Sequence, residues 1–167
     1  MNAIGIYGGS FNPFHDGHKK VIENILNENI LYKIFVIPCK QNPLKQKSDY
    51  LNDEERLIKI YSEIAHLDNV FVLQDELKRD SEVTYSWITI RDLKEKYPNK
   101  EFYLIIGSDE WNQFKLWRNW EWILNNVKVL VHPRKGYKPT WYDDNMIYLD
   151  NLGSLDISST DIRNGKF

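Results

Sequence analysis

The sequence predicts a doubly wound α/β fold, a mostly parallel sheet of about five to six strands with helices on both faces. Three observations predict it. Short apolar runs, β-branched and aromatic, recur at 4–7, 34–37, 70–73, 102–106, 127–131 and 146–149, each bounded by Gly, Pro, Asn or Asp. Segments with helical apolar spacing lie between them. Strand and helix therefore alternate, and crossover connections of that kind join parallel strands. Such sheets take ligands outside the carboxyl ends of their strands. The residues that follow each run, at 8–18, 38–47, 74–85, 107–117 and 132–136, thus carry the functional argument.

The elements follow in chain order. The first run leads into a Gly-rich turn, and Val21, Ile22, Ile25 and Leu26 then form a helical stripe. After the second run, the polar stretch from Cys39 to Tyr50 carries Pro43 and reads as a long mobile loop. Leu57, Ile58, Tyr61, Ile64 and Ala65 form the next stripe; Asn52 opens it, with Glu55 in capping position. Trp87, Ile90, Leu93 and Tyr97 form a third, with Thr84 as its expected N-cap. From Asp109 to Leu124 the chain is rich in Trp and reads as a half-buried helix. Repeats, linkers and low-complexity tracts do not interrupt this order, so residues 1–167 are expected to form a single domain.

Composition narrows the class. With 167 residues, 42% of them hydrophobic, the chain can bury a core without disulfide or metal staples. A net charge of -2 argues against a general nucleic-acid binder. An anionic ligand would need a local basic patch, and Lys40, Lys45 and Lys47 form one candidate, Arg134 and Lys135 another. The lone Cys39 cannot close an internal disulfide, which suits a reducing cytoplasm. No basic segment precedes a long apolar run, so neither a signal peptide nor a membrane span is expected.

Chemistry concentrates in three motifs. The first strand ends in Gly8-Gly9-Ser10-Phe11-Asn12-Pro13-Phe14-His15-Asp16-Gly17-His18. Two glycines allow a tight turn and close backbone approach to a phosphate. His15 and His18 stand at a helix start, where both imidazoles and the helix dipole can address one anion. The plain structural alternative is a Gly-Pro turn with one histidine as a cap. The second motif, Ile157-Ser158-Ser159-Thr160-Asp161-Ile162-Arg163, has capping-box spacing. Its hydroxyls and Arg163 suit a polyphosphate, though a well-capped helix explains the spacing equally. The third is Ile106-Gly107-Ser108-Asp109, with Trp117 downstream. Asp109 binds a hydroxyl, or a metal through water, or else caps a helix, and Trp117 either stacks on a ligand ring or fills the core. Zinc spacing and a Gly-x-Ser-x-Gly elbow are lacking. His66 and His132 show no obvious partners.

Together these motifs resemble those of the nicotinate/nicotinamide mononucleotide adenylyltransferases, within the HxGH nucleotidyltransferase superfamily. Weaker echoes are Pro43-Leu44-Lys45, Thr84-Tyr85-Ser86 and Pro133-Arg134-Lys135-Gly136. The resemblance spans Gly8 to Arg163 and implies a Rossmann-like fold. It also implies roles. Gly8, Gly9, Ser10 and Phe11 would line the floor shared by the two substrates. His15 and His18 would contact the ATP phosphates. Gly107 and Asp109 would bind the ATP side, and Ile157, Ser158, Thr160 and Arg163 the triphosphate. Lys45 would reach in from the loop as a catalytic cation, with His15, His18 and Arg163. Ser10, Phe11, Lys45, Thr84, Tyr85, Trp117 and Arg134 would hold the mononucleotide. Two features depart from the family pattern: Leu44 stands where a histidine commonly precedes the loop lysine, and the chain ends soon after Arg163.

The implied reaction is in-line attack of a mononucleotide phosphate on the ATP α-phosphorus, yielding a dinucleotide and pyrophosphate. Positioning and charge stabilisation would carry it. Mg2+ would travel with ATP, without a dedicated protein site. The expected partners are ATP and a pyridine mononucleotide, not nucleic acid or membrane, and the sequence leaves homo-oligomerisation open. Rival readings are a phosphopantetheine adenylyltransferase-like enzyme, a fragment of a class I aminoacyl-tRNA synthetase, and a nucleotide-sensing regulator without turnover. Trp117 with Gly107-Ser108-Asp109 weighs against the first, and the chain's charge and size against the second. The pair His15 and His18 favours an enzyme over the third.

Overall fold

The structure, a computed structural model, describes residues 2–40, 51–80 and 84–150. Its six strands are β1 (Ala3–Gly9), β2 (Lys33–Pro38), β3 (Val70–Val72), β4 (Glu101–Gly107), β5 (Lys128–His132) and β6 (Met146–Tyr148). Each falls on one of the apolar runs. The helices are α1 (Asp16–Asn27), α2 (Asp53–Ile64), α3 (Asp75–Lys78), α4 (Ser86–Lys96), α5 (Ser108–Asn112) and α6 (Trp120–Asn126), with a 3-10 turn at Phe114–Leu116.

All strand pairings are parallel, in the order β3-β2-β1-β4-β5-β6. The chain builds outward from β1 to β3, then crosses back and builds outward on the other side from β4. The reversal leaves a crevice between the carboxyl ends of β1 and β4, where open sheets of this kind take their ligands.

A parallel sheet needs cover on both faces, and period-2 alternation supplies two cores. Tyr7, Ile34, Val36, Tyr103, Ile105 and Leu130 point to one face, against Val21, Ile22 and Ile25 of α1 and Ile60 and Ile64 of α2. Ile4, Ile6, Phe35, Leu104, Ile106 and Val129 point to the other, against Ile90 and Leu93 of α4 and Ile123 and Leu124 of α6.

Three local expectations change. The buried stripe of α2 is Arg56, Ile60 and Ile64, while Ile58 and Tyr61 are exposed. The helix is rotated because Arg56 turns inward to meet backbone carbonyls. Asn52 caps it as expected, accepting from the Glu55 amide at 2.8 Å. The segment from Asp109 to Leu124 is not one helix but α5, the 3-10 turn and α6. Asn119 sits at φ 56, a left-handed conformation that interrupts a right-handed helix. Trp111 is held by a mutual clasp with Trp141: the rings stack at 4.0 Å and each indole N–H donates to the other's carbonyl. The N-cap of α4 is Tyr85 rather than Thr84, which lies one residue upstream.

Gly5 lies at the centre of the sheet. A Cβ there would come within 2.6 Å of a Leu31 methyl and 2.8 Å of an Ile105 methyl. Replacing Gly5 by Val should destabilise the fold by about 1–3 kcal/mol through overpacking, read as a lower midpoint in urea unfolding.

Candidate active site

The turn after β1 is sharply bent. Phe11 adopts φ 46 and the Asn12–Pro13 peptide is cis. Gly8 and Ser10 are exposed and Gly9 is half-buried, which leaves an open backbone floor. The Phe11 ring turns inward: it is buried at 5.4 Å from Tyr7 and 5.4 Å from Phe14. Any contact of Phe11 with a ligand would therefore run through its backbone.

Two histidines close the first turn of α1. His15 is the N-cap, and its Nδ1 accepts from the Gly17 amide at 3.0 Å. His18 reaches back, and its Nδ1 accepts from the His15 amide at 3.1 Å. Both side chains thus cap the helix through Nδ1. The consequence is chemical. An Nδ1 that accepts a backbone amide holds no proton, so each neutral ring carries its hydrogen on Nε2. The rings stack with centroids 3.8 Å apart, and Phe11 and Phe14 pack against His18 at 5.1 Å. Burial, followed by the Arg134 charge, depresses His15 to about 4. His18 is lowered well below its ordinary value, first by burial and then by His15, Arg134 and His132. At neutral pH both are uncharged Nε2–H donors.

The other wall comes from β4 and β5. Gly107 ends β4, and a Cβ on it would meet Asp109 Oδ1 at 2.6 Å, Arg134 Cγ at 2.9 Å and His132 Cε1 at 3.2 Å. A side chain at position 107 would thus crowd the three side chains that converge here. The α5 start is closed by Glu110, which accepts from the Gly107 amide at 3.2 Å. Asp109 is consequently not the cap. The buried Ser108 hydroxyl accepts from the Arg134 amide at 2.9 Å and fixes the turn after β5. His132 is buried edge-on to Tyr7 at 6.5 Å, and burial, then Arg134, lowers it to about 4. The structure therefore gathers Gly8, Gly9, Ser10, His15, His18, Gly107, Asp109 and Arg134 around the crevice between β1 and β4. Among the described residues no three His, Cys, Asp or Glu side chains group as a metal site.

A separate cavity of about 290 Å³ opens where α4 begins. Thr84, Tyr85, Ser86, Leu116, Trp117 and Arg118 line it. Trp117 packs on Phe114 at 5.0 Å and is only partly buried, so it serves core and cavity together. It lines this space from the end of the 3-10 turn. Tyr85 caps α4 without a side-chain hydrogen bond, and the Ile88 amide donates to its carbonyl at 3.1 Å.

Lys45, Ile157, Ser158, Thr160 and Arg163, together with most of the expected mobile loop, lie outside the described residues. Sequence reasoning missed Arg56, Arg118 and His132. Arg118 directly follows Trp117, and His132 ends a strand, so position offered a signal for both. Arg56 offered one only in its spacing from Ile60 and Ile64. His66 is exposed and far along the chain from any site element.

Residues 6–165 match the family described as cytidylyltransferase-like. A Flavobacterium johnsoniae protein named "Probable nicotinate-nucleotide adenylyltransferase" is 36% identical over 164 residues, spanning 96% of this chain and 84% of its own. A Leptospira interrogans protein of the same name is 36% identical over 171 residues, spanning 98% and 84%. In structure the chain is similar to the Plasmodium falciparum nicotinic acid mononucleotide adenylyltransferase complexed with APC, at TM-score 0.77, 24% identity and 98% and 83% coverage. The complex of that protein with NaAD gives the same values. At that identity the likeness shows the fold.

The depressed histidines set a pH dependence for stability. Unfolded, each titrates near its ordinary value of 6.5; folded, His15 and His132 titrate at about 4. Between these values the unfolded chain binds more protons, so stability rises with pH there. The stabilisation is complete above pH 6.5 and is lost as pH falls toward 4. Melting temperatures measured from pH 7.5 to 4.5 should fall across this window, and H132Q should flatten the slope.

Proposed function

The chain belongs to the cytidylyltransferase-like family, on its nicotinate-nucleotide adenylyltransferase branch, and from that premise we propose that it transfers the adenylyl group of ATP to nicotinate mononucleotide. The products are deamido-NAD and pyrophosphate. The observation that carries this reading is the pair of tautomer-locked histidines beside Arg134 at the sheet crevice.

In this mechanism a mononucleotide phosphate oxygen forms a bond to the ATP α-phosphorus. The bond from that phosphorus to the β-phosphate bridging oxygen breaks, and pyrophosphate leaves. The phosphate is already a nucleophile at neutral pH, so no base and no covalent enzyme intermediate are required. His15 and His18 donate from Nε2 to phosphate oxygens. Because their Nδ1 atoms are engaged by backbone amides, these donors need no proton uptake and no reorientation. Arg134 supplies the positive charge, and the open floor at Gly8 to Ser10 admits both phosphates. Lys45, Ser158, Thr160 and Arg163 complete the phosphate contacts in this reading.

The cavity at the α4 start suits the pyridine ring, with Trp117 against its face and Thr84 and Tyr85 beside it. Magnesium enters as part of the nucleotide substrate. Asp109 at the crevice is a carboxylate that could meet the hydrated cation through water. Among the described residues no helix is long and apolar enough to cross a membrane. A cytoplasmic setting belongs to the same proposal and rests on the lone Cys39.

Incubation with ATP, magnesium and each pyridine mononucleotide, followed by product analysis, tests the reading; absence of any dinucleotide overturns it. Replacing His18 by Ala should lower kcat about 10²–10³-fold, the usual effect of losing one preorganised donor. It also removes a cap bond, so a stability loss of about 1 kcal/mol is expected beside it. Normal turnover in folded H18A would remove His18 from the transition state. The uncapped α4 amides favour an acceptor-only substituent on the ring, so kcat/KM at saturating ATP should be higher for nicotinate than for nicotinamide mononucleotide.

A further inference from the structure

Arg118 is a charged side chain of the ring cavity to which the reaction above assigns no work. Its guanidinium carbon lies 5.1 Å over the Tyr85 ring, so the side chain is laid across the cavity rim rather than extended into solvent. The backbone beneath it is held on both sides. The Trp117 amide donates to the Phe114 carbonyl at 2.9 Å, and Asn119 turns the chain at once into α6. Arg118 has no ion-pair partner among the described residues. Among the described residues the cavity lining holds no carboxylate. Among the described residues the space thus offers aromatic faces and the Arg118 positive charge, the complement of a flat ring with an anionic group on its edge.

We propose that Arg118 selects a pyridine carboxylate over a pyridine carboxamide. This rests on the adenylyltransferase reading of the same site and adds to it the residue that discriminates the substrate's ring substituent. A guanidinium held at this distance from a ring face can still turn its N–H groups to form a two-bond fork with a carboxylate. A carboxamide offers one acceptor and turns its own N–H groups toward those donors. The pyridinium charge of the ring does not alter this comparison, since both substrates carry it. Trp117 covers the ring face in either case and contributes no discrimination.

Arg118 is exposed, so solvent screening limits the effect to about tenfold in the acid-to-amide ratio. The test compares wild type, R118Q and R118K. Two measurements are made on each: kcat/KM for the two mononucleotides at saturating ATP, and equilibrium binding of each mononucleotide alone by calorimetry. The ratio should fall about tenfold in R118Q and less in R118K, which keeps the charge but loses the fork. Rising salt should lower the wild-type ratio and leave that of R118Q flat. Melting temperatures check that the variants are folded. A ratio in R118Q within twofold of wild type in both measurements overturns the proposal, as does a wild type that binds acid and amide equally. An Arg118-dependent preference in binding without any dinucleotide product would fail the adenylyltransferase reading and leave this assignment standing. Dinucleotide formation with a ratio that R118Q does not change would do the reverse.

Discussion

The guanidinium of Arg56 is fully buried, and much of the site geometry depends on what it holds. Its Nη1 donates to the Ser10 carbonyl at 2.6 Å and to the Cys39 carbonyl at 2.8 Å, while Nη2 pairs with Asp53 at 2.7 Å. Those carbonyls belong to the turns after β1 and β2, at the end of the strand ladder that closes with the Cys39 amide on the Gly9 carbonyl at 2.9 Å. Stripping water from a guanidinium costs several kcal/mol, and only well-formed partners offset it. The bonds therefore have to be made, and making them sets the rotation of α2 and the course of both turns. Asn12 adds a second tie, its Oδ1 accepting from the Leu51 amide at 2.8 Å. The backbone floor of the crevice is thus bound to α2 from two sides.

On this fixed floor the histidine pair joins stability to chemistry. The amides of His15 and Gly17 are orphan donors of a helix start, and in most helices Ser, Thr, Asp or Asn would satisfy them. Here imidazole nitrogens do so. A serine would end the hydrogen bonding at the cap. An imidazole accepts with one nitrogen and offers a donor with the other, so the capping bond itself orients the group that meets a phosphate. The aromatic packing of Phe11 and Phe14 around His18 keeps the ring in that orientation and, by excluding water, keeps it neutral.

The two substrate regions are built differently. The phosphate crevice lies at the reversal of strand order and is walled by β1, β4 and β5, rigid elements with backbone hydrogen bonds on either side. The ring cavity lies on the connections flanking the 3-10 turn and the start of α4. Trp117 lines it from the end of the 3-10 turn. In the proposed reading chemistry sits on the sheet and ring recognition on the helical layer, where Arg118 lines the cavity without taking part in strand packing.

The sequence by itself determined the elements and the motifs. Alternating apolar runs marked every strand, because a strand buried on both faces must be apolar along its whole length. The Gly-rich turn, the two histidines and the Asn52 cap were legible because a turn and a helix start are specified by neighbouring residues. Tertiary structure decided the rest. Strand order follows from which faces pack together, information spread over both cores rather than held in any one run. The rotation of α2 was misjudged because a buried arginine breaks the apolar pattern, and its partners lie 17 and 46 residues away in the chain. The Trp-rich segment looked helical throughout because spacing reports only which residues could share a face. Asn119 turns left-handed in a segment where Trp111 packs on Trp141 and Trp117 on Phe114, contacts that spacing alone does not report. His132 and Arg118 entered their sites for the same reason: a side chain acquires a function from neighbours that only the folded chain brings within reach.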